Sequence, residues 1–160
     1  MSNNVRTTFS HIRAFPVVNI QLAESDADLK GISEVLLELR TGFDPLTLTS
    51  QIKQQMSAGY QIAYVEADGE VLCVAGFVVG NKLAWGKHIY VDDLVTAERH
   101  RSGGAGAKMI SWLKSHALQL GCDQLHLDSG VQRFAAHRFY LREGFNIESH
   151  HFSITDLRKR

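Results

Sequence analysis

The chain has 160 residues, 44% of them apolar and 21% charged, which is the composition of a water-soluble globular domain. Seventeen basic side chains balance seventeen acidic ones, so the charge does not favour a nucleic-acid-binding protein, which carries a basic excess on one face. No apolar run approaches the roughly 20 residues that span a bilayer, and the polar start does not resemble a signal peptide. The sequence predicts one cytoplasmic domain over residues 1–160, with residues 1–14 as a loose extension and with neither nucleic-acid nor membrane partners.

The first part of the chain predicts one strand followed by two helices. Residues 17–22 have the composition of a strand. Ser25, with Asp28 three residues later, is close to a capping box, and apolar residues then follow at helical spacing. Asp44 and Pro45 are a favourable N-cap and first-position pair for a second helix.

The middle of the chain changes to strand periodicity. Residues 60–66 and 71–79 are strand-like runs, and the Asp68-Gly69 pair between them is a strong hairpin signal. A third strand is predicted over residues 85–95. These three strands form an antiparallel meander.

The last part of the chain predicts a helix, a strand, a helix and a strand. The first helix covers residues 104–120, and Gly121 is well placed to end it. A strand over residues 125–128, a helix over residues 132–142 and a strand over residues 145–154 follow. The complete order, β-α-α-β-β-β-α-β-α-β, predicts an α/β (α+β) fold with a mixed, mostly antiparallel sheet flanked by helices.

A glycine-rich loop between the third meander strand and the following helix is the most informative segment. Gly103, Gly104 and Gly106 let the backbone turn tightly and let a ligand approach without Cβ clashes. Unpaired N–H groups at a helix N-terminus favour an anion, and Arg101 adds a full positive charge. The loop predicts a phosphate or pyrophosphate site. The Gly-x-x-x-x-Gly-Lys-Ser/Thr pattern of a P-loop cannot be read there. The dinucleotide fingerprint also fails, because Met109 stands where its third glycine belongs.

Two motifs resemble those of one enzyme family. Arg101-x-x-Gly104-x-Gly106 resembles the Gln/Arg-x-x-Gly-x-Gly/Ala signature of the GNAT superfamily of N-acetyltransferases. Residues 136–145, which end in Tyr140-x-x-x-Gly144-Phe145, look like the second conserved block of that family. The resemblance implies a GNAT-like fold and transfer of an acetyl group from acetyl-CoA to a primary amine of a small molecule or peptide. It implies no metal, and no histidine pair here has zinc-protease spacing.

The resemblance also assigns residues to the cofactor. It implies that main-chain groups freed by a bulge in the fourth strand contact the pantetheine arm and acetyl group, at Leu94, Val95 and Thr96. It implies that the pyrophosphate is held by the loop and helix start, at Arg101, Ser102, Gly103, Gly104, Ala105, Gly106 and Ala107. Arg133 replaces an asparagine common in the family, Ser129 is an alternative polar contact, and His137 either contacts the cofactor or caps the helix.

Three residues are candidates for proton transfer. Tyr140 occupies the position at which many relatives have a tyrosine that protonates the leaving thiolate; this role is favoured over the alternative, a core aromatic beside Phe139 and Phe145. Asp92 and Asp93 are neighbours on a strand, so their side chains should point to opposite faces unless a bulge intervenes. Either carboxylate could take a proton from the acceptor ammonium, with Asp93 slightly favoured, or could be an ordinary strand-end group.

Two alternatives to an acetyltransferase stay open at this point. The same fold could bind or sense acetyl-CoA without turnover, or it could use a longer acyl-CoA. By analogy with relatives, a homodimer could form through the last strand, which carries His150, His151 and Phe152.

Overall fold

The computed structural model describes residues 18–158, and its framework is an open five-stranded sheet. The strands are β1 (Asn19–Leu22), β2 (Tyr60–Ala67), β3 (Glu70–Lys82), β4 (Gly86–Thr96) and β5 (Gln124–Leu127). They lie side by side in sequence order; β4 and β5 are parallel and the other pairs are antiparallel. The helices are α1 (Asp26–Leu37), α2 (Pro45–Ser57), α3 (Ala105–Gln119) and α4 (Phe134–Arg142), and a 3-10 turn covers Glu98–His100. The predicted α/β fold class is confirmed.

The predicted helix starts are also confirmed. The Asp44 carboxylate accepts hydrogen bonds from the N–H groups of Leu46 (2.9 Å) and Thr47 (3.1 Å), and Pro45 is the first helical residue of α2. At α1 the Asp28 carboxylate accepts from the N–H of Ser25 at 2.9 Å. Hydrogen-bond acceptors at these positions satisfy N–H groups that have no partner inside the helix.

The alternation of side chains along the strands gives the sheet two apolar faces. On one face, Tyr60, Ile62 and Tyr64 of β2 pack against α1 and α2. On the other, Ala63 and Val65 of the same strand belong to the core under α3, to which Phe139 of α4 also contributes. Period-2 alternation therefore divides the core into an α1/α2 side and an α3/α4 side.

A bulge interrupts β4 at Asp92. Gly76 of β3 lies opposite Asp93, but the next β3 residue, Phe77, lies opposite Val91, so Asp92 is the extra residue. The β4–β5 ladder ends at the Val91–Leu127 pair, while β4 continues to Thr96. Beyond that pair the edge of β4 has no partner strand among the described residues, and this opens a gap in the sheet.

The predicted last strand over residues 145–154 is wrong, so the final β of the predicted order is absent from the described chain. Residues 146–158 are exposed and form no strand. The spacing of the apolar residues explains why no strand forms. In a continuous strand Phe145 and Ile147 would point to one face, and Phe152 and Ile154 would point to the other. No single face of a continuous strand could bury all four.

Two further predictions concern the N-terminal extension and membrane spans. The loose extension over residues 1–14 lies outside the described residues. Between residues 18 and 158, none of the helices combines the length and the apolar character that crossing a membrane requires.

Candidate active site

A cavity of about 420 Å³ lies between the free edge of β4, the start of α3 and the start of α4. Its walls consist of small, aliphatic and basic residues with two aromatic rings. They are Leu94, Thr96, Arg101, Ser102, Gly104, Ala105, Gly106, Ala107, Arg133, Ala135, Ala136, Phe139, Tyr140 and Arg142. The cavity therefore connects a helix N-terminus with the unpaired edge of a strand, and no part of it is acidic.

The start of α3 presents main-chain N–H groups to this cavity. The N-cap Gly104 has a φ of +83°, a left-handed conformation that L side chains rarely adopt. The N–H of Lys108 donates to the Gly104 carbonyl at 3.1 Å, so the N–H groups of Ala105, Gly106 and Ala107 precede that first bond of the helix. Unpaired N–H groups at the positive end of a helix dipole form an anion-binding site.

Gly106 is required by close packing rather than by its backbone conformation. A Cβ at this position would lie 3.2 Å from the Thr96 hydroxyl oxygen and 3.3 Å from the Phe139 ring. The missing side chain lets α3 pack against both β4 and α4. A side chain at Gly106 would therefore force Thr96 or Phe139, both in the cavity wall, to move by a few tenths of an ångström.

Arginine side chains give the cavity a positive charge. Arg101 is exposed, and its Nε donates a long hydrogen bond (3.4 Å) to the Thr96 carbonyl on the free part of β4. Arg133 and Arg142 lie in the wall at the two ends of α4. Arg142 was not predicted; it lies directly before the Glu143-Gly144 pair that ends the helix.

Tyr140 lies in the cavity wall and is also packed as a core aromatic. Its ring makes edge contacts with Phe139 and Phe145, with centroids 5.5 and 5.8 Å apart. Its hydroxyl has no hydrogen-bond partner within residues 18–158. Burial raises the pKa of Tyr140, and the nearby positive charge of Arg133 offsets part of that rise. The phenol is protonated at neutral pH, as a proton donor must be.

Four predicted cofactor residues do not line the cavity. Val95 is buried in the core on the α1/α2 side, and Gly103 lies in the turn before α3. The His137 ring is hydrogen-bonded to the Gly130 carbonyl at 2.9 Å, so it fastens the β5–α4 loop. The Ser129 hydroxyl is buried without a hydrogen-bond partner in the described part of the chain. The other nine predicted cofactor residues are in the wall.

Asp93 is held by two partners on the α1/α2 side of the sheet. It is 8% exposed; one carboxylate oxygen accepts from Arg40 Nε at 2.6 Å and the other from the Tyr60 hydroxyl at 2.6 Å. A second Arg40 nitrogen donates to the Asp92 carbonyl at 3.0 Å. A Cβ on Gly76 would lie 1.6 Å from the Tyr60 hydroxyl oxygen, so the glycine makes room for this contact.

Asp92 is more exposed than Asp93 and lies on the same side of the sheet. The two side chains were expected on opposite faces unless a bulge intervened, and the bulge at Asp92 is that exception, because it interrupts the alternation. The negative charge of Asp92 contributes to raising the pKa values of Tyr60 and Tyr90, which both belong to this side. Partial burial and the charge of Asp93 raise the pKa of Asp92 itself, and Arg40 opposes that rise.

The roles of Arg40 and Tyr60 were missed by the sequence analysis. They lie 53 and 33 residues from Asp93 along the chain, in the loop after α1 and at the start of β2. No local pattern connects positions so far apart. The Gly76 position, a glycine inside an apolar strand, was the one signal of a close approach.

Comparison with known proteins identifies the family. The family model described as "Acetyltransferase (GNAT) family" matches residues 30–145. The uncharacterized N-acetyltransferase YhdJ of Bacillus subtilis (strain 168) is 30% identical over 120 residues, which are 74% of this chain and 84% of that protein.

Two solved structures share the fold. Glucosamine-6-phosphate N-acetyltransferase from Arabidopsis thaliana has a TM-score of 0.70 at 24% identity, over 88% of this chain and 99% of that chain. Aminoglycoside N-acetyltransferase AAC(6')-Iy in complex with CoA has a TM-score of 0.75 at 14% identity, over 91% and 99%. The resemblance drawn from the glycine loop is confirmed: the chain belongs to the GNAT family and is an N-acetyltransferase.

Proposed function

We propose that the enzyme transfers the acetyl group of acetyl-CoA to a primary amine of a small molecule by direct attack within a ternary complex. One observation carries this proposal: the cavity joins the N-terminus of α3 to the free edge of β4, and Tyr140 lies in its wall. The fold shared with the CoA complex of an aminoglycoside N-acetyltransferase supports the choice of cofactor. The amine-modifying relatives support a small-molecule acceptor over a peptide.

The residues of the cavity fit a CoA thioester. The N–H groups of Ala105, Gly106 and Ala107 would hold the pyrophosphate, with Arg101 as a neighbouring positive charge. The unpaired main chain of β4 at Leu94 and Thr96 would bind the pantetheine amides as an added strand would, through backbone hydrogen bonds. Main-chain donors there would also polarise the acetyl carbonyl.

Proton transfer needs one group on each side of β4. Asp92, whose raised pKa makes it a better proton acceptor than an ordinary carboxylate, would take a proton from the acceptor ammonium through water. The neutral amine then attacks the acetyl carbonyl, so that a C–N bond forms and the C–S bond breaks. Tyr140 would donate its proton to the departing sulfur, and the second proton that the nitrogen loses as the amide forms would restore the phenol through water. Asp93 is less suited to the base role, because Arg40 and Tyr60 occupy both of its oxygens.

We expect the reaction to take place in the cytoplasm, with acetyl-CoA as a co-substrate. A homodimer stays a prediction, although its contact cannot be the predicted last strand, since that segment is not a strand.

Release of free thiol tests the proposal. The protein would be incubated with acetyl-CoA and a panel of primary amines, and CoA would be detected with a thiol reagent while the acetylated amine is identified by mass. We expect amine-dependent release of one CoA per acetylated product. Butyryl-CoA and longer thioesters provide the control for acyl length. Binding of acetyl-CoA without thiol release for any amine would favour a sensing module instead.

A further inference from the structure

Part of the α1/α2 side of the sheet is not covered by a helix. Among the described elements, α2 packs on β2, and α1 packs on β3 and on β4. The side chains of β4 and β5 that face this side before the gap are polar or aromatic, and they follow the strand alternation. They are Tyr90, Asp92 and the buried His88 on β4, His126 on β5, and Asp128, which directly follows β5. This polar surface begins at Asp92, beside the gap in which the acetyl group would lie.

Two aromatic rings form a flat surface there, which we name the Trp85 shelf (Trp85 and Tyr90). The rings are nearly parallel, at an interplanar angle of 7° and a centroid distance of 6.4 Å. The His126 ring stacks on Trp85 at 3.8 Å, and this packing fixes the indole. The Tyr90 hydroxyl donates a hydrogen bond to Asp128.

A cation of the chain itself already lies over this shelf. The Lys82 ammonium is 4.2 Å from the Trp85 ring centroid and 5.4 Å from the Tyr90 centroid. The lysine is exposed, at the end of β3, and no salt bridge within residues 18–158 holds it. The position of the lysine shows that the faces of the two rings attract an ammonium group. Because the lysine is solvated, the ammonium of a ligand could take its place.

We propose that the Trp85 shelf binds the second ammonium of a diamine acceptor, whose first amine lies at Asp92 and receives the acetyl group. The proposal rests on the proposed function, since it names the substrate class of the same site. The diamine would displace the Lys82 ammonium from the two rings. Trp85 and Tyr90 would then act as specificity-determining residues.

The charges around the shelf fit a dication better than an amine that carries an anionic group. Asp92 and Asp128 are carboxylates on the same surface, and the charge of Glu148 also acts on His126. Burial, with the positive charges of His88 and Lys82, lowers the pKa of His126, which therefore adds no positive charge at neutral pH. Arg40 is engaged by Asp93. The His151 ring contacts the Asp128 carboxylate at 3.1 Å, so once Lys82 is displaced the Asp92 carboxylate is, of these two aspartates, the one that has no salt bridge within residues 18–158.

The spacing along β4 sets the length of the acceptor. Tyr90 and Asp92 are two residues apart on the same side, which corresponds to roughly 7 Å along a strand. A diamine with a short aliphatic spacer spans that distance. Three amines with five carbons each therefore serve as probes: 1,5-diaminopentane, pentylamine and 5-aminopentanoate end in a cation, an apolar group and an anion.

Tryptophan fluorescence measures binding without depending on turnover. Trp85 and Trp112 are the two tryptophans of the chain, so the Trp112→Phe variant reports on Trp85 alone. Each probe would be titrated in the presence of CoA at constant ionic strength. We expect 1,5-diaminopentane to change the emission of Trp85 and to bind about tenfold more tightly than pentylamine, with 5-aminopentanoate weakest. Lys82→Gln should tighten diamine binding and leave pentylamine binding unchanged.

Steady-state kinetics on the wild-type enzyme provides the second readout. We expect kcat/KM with acetyl-CoA to be about tenfold higher for the diamine than for pentylamine, and Trp85→Leu to remove the preference through KM. Equal values for the two amines, or a preference for 5-aminopentanoate, would overturn the inference and leave the proposed function standing. Diamine binding at Trp85 with no thiol release for any amine would support the site and contradict the proposed function.

Discussion

On the α3/α4 side of β4, the candidate site consists mainly of main-chain groups and small side chains, whereas on the α1/α2 side it consists of charged and aromatic side chains. Gly104 and Gly106 contribute to the first side because they have no side chain. Asp92 and Asp93 contribute to the second through contacts with residues far away in sequence. The two sides should therefore respond differently to substitution. On the α3/α4 side, added side-chain volume should impair cofactor binding, whereas on the α1/α2 side, a change of charge should affect proton transfer and stability.

The largest effect on the rate is expected at Tyr140. Replacing it with phenylalanine keeps the contacts with Phe139 and Phe145 but removes the proton donor. We expect kcat to fall about 100- to 1,000-fold, with acetyl-CoA affinity unchanged. Steady-state kinetics and calorimetry with CoA would test this. A Phe139→Leu variant controls for loss of aromatic packing, and an unchanged kcat in Tyr140→Phe would leave Tyr140 as a core residue only.

The two neighbouring aspartates should give opposite results. Asp92→Asn should lower kcat/KM about 10- to 100-fold, because it removes the proton acceptor. The same change should stabilise the fold at neutral pH. The native state binds more protons than the unfolded state where a carboxyl pKa is raised, so stability falls as pH rises from the ordinary value of 3.8 through the raised one.

Asp93→Asn is the matched variant and should lower stability at neutral pH, since Arg40 would lose its counter-charge. Urea unfolding at pH 7 would measure both variants. The assignment of roles would be contradicted if Asp92→Asn destabilised the protein and Asp93→Asn alone abolished turnover with the fold intact.

Tyr60→Phe should cost stability rather than catalysis. It leaves one oxygen of the buried Asp93 carboxylate without a donor, and about 1–3 kcal/mol of unfolding free energy should be lost. Tyr64→Phe is the control; its hydroxyl, on the same strand, donates to the exposed Asp28 and should matter less. Chemical denaturation would measure both. Equal losses in the two variants would show that the Tyr60–Asp93 contact has no special weight.

The smallest effect is expected at the start of α1. The backbone N–H groups of Ser25 and Glu24 lower the pKa of Asp28, so its charged form stabilises the fold at neutral pH. This stability is lost as pH falls below 3.8 through the lowered pKa. Asp28→Asn should cost on the order of a few tenths of a kcal/mol at pH 7, because water still reaches and screens this partly exposed group. The difference in melting temperature from wild type should vanish in acid.

The part of this architecture that depends on local pattern was predictable from sequence. The order of elements through α4, the cap at Asp44 and the glycine turn at Gly104 each depend on residues a few positions apart. Such short-range patterns carry their structural meaning within the segment itself. Tyr140 was found in the same way, because its position inside a short motif fixes it relative to Gly144.

The parts that depend on distant pairing were not predictable. The bulge at Asp92 follows from how β3 and β4 align around Gly76, and no residue of β4 alone indicates it. Arg40 and Tyr60 reach Asp93 only once α1 and β2 have packed beside β4. The strand predicted over residues 145–154 is wrong for the same reason: a strand forms only where another strand pairs with it, and the segment's own sequence does not show whether a partner is present.

The central claim is that the N-terminus of α3 holds the CoA pyrophosphate, and a thermal-shift titration with acetyl-CoA tests it most directly. Gly104→Glu would be compared with Gly121→Glu, because both glycines have positive φ values, at opposite ends of α3, with no atom within 4 Å of an added Cβ. Each substitution should cost about 1–2 kcal/mol through backbone strain. Acetyl-CoA at 100-fold excess over Kd should stabilise the wild type and Gly121→Glu by about 2.7 kcal/mol and Gly104→Glu hardly at all. Equal stabilisation of both variants would contradict the assignment of the cofactor to this helix.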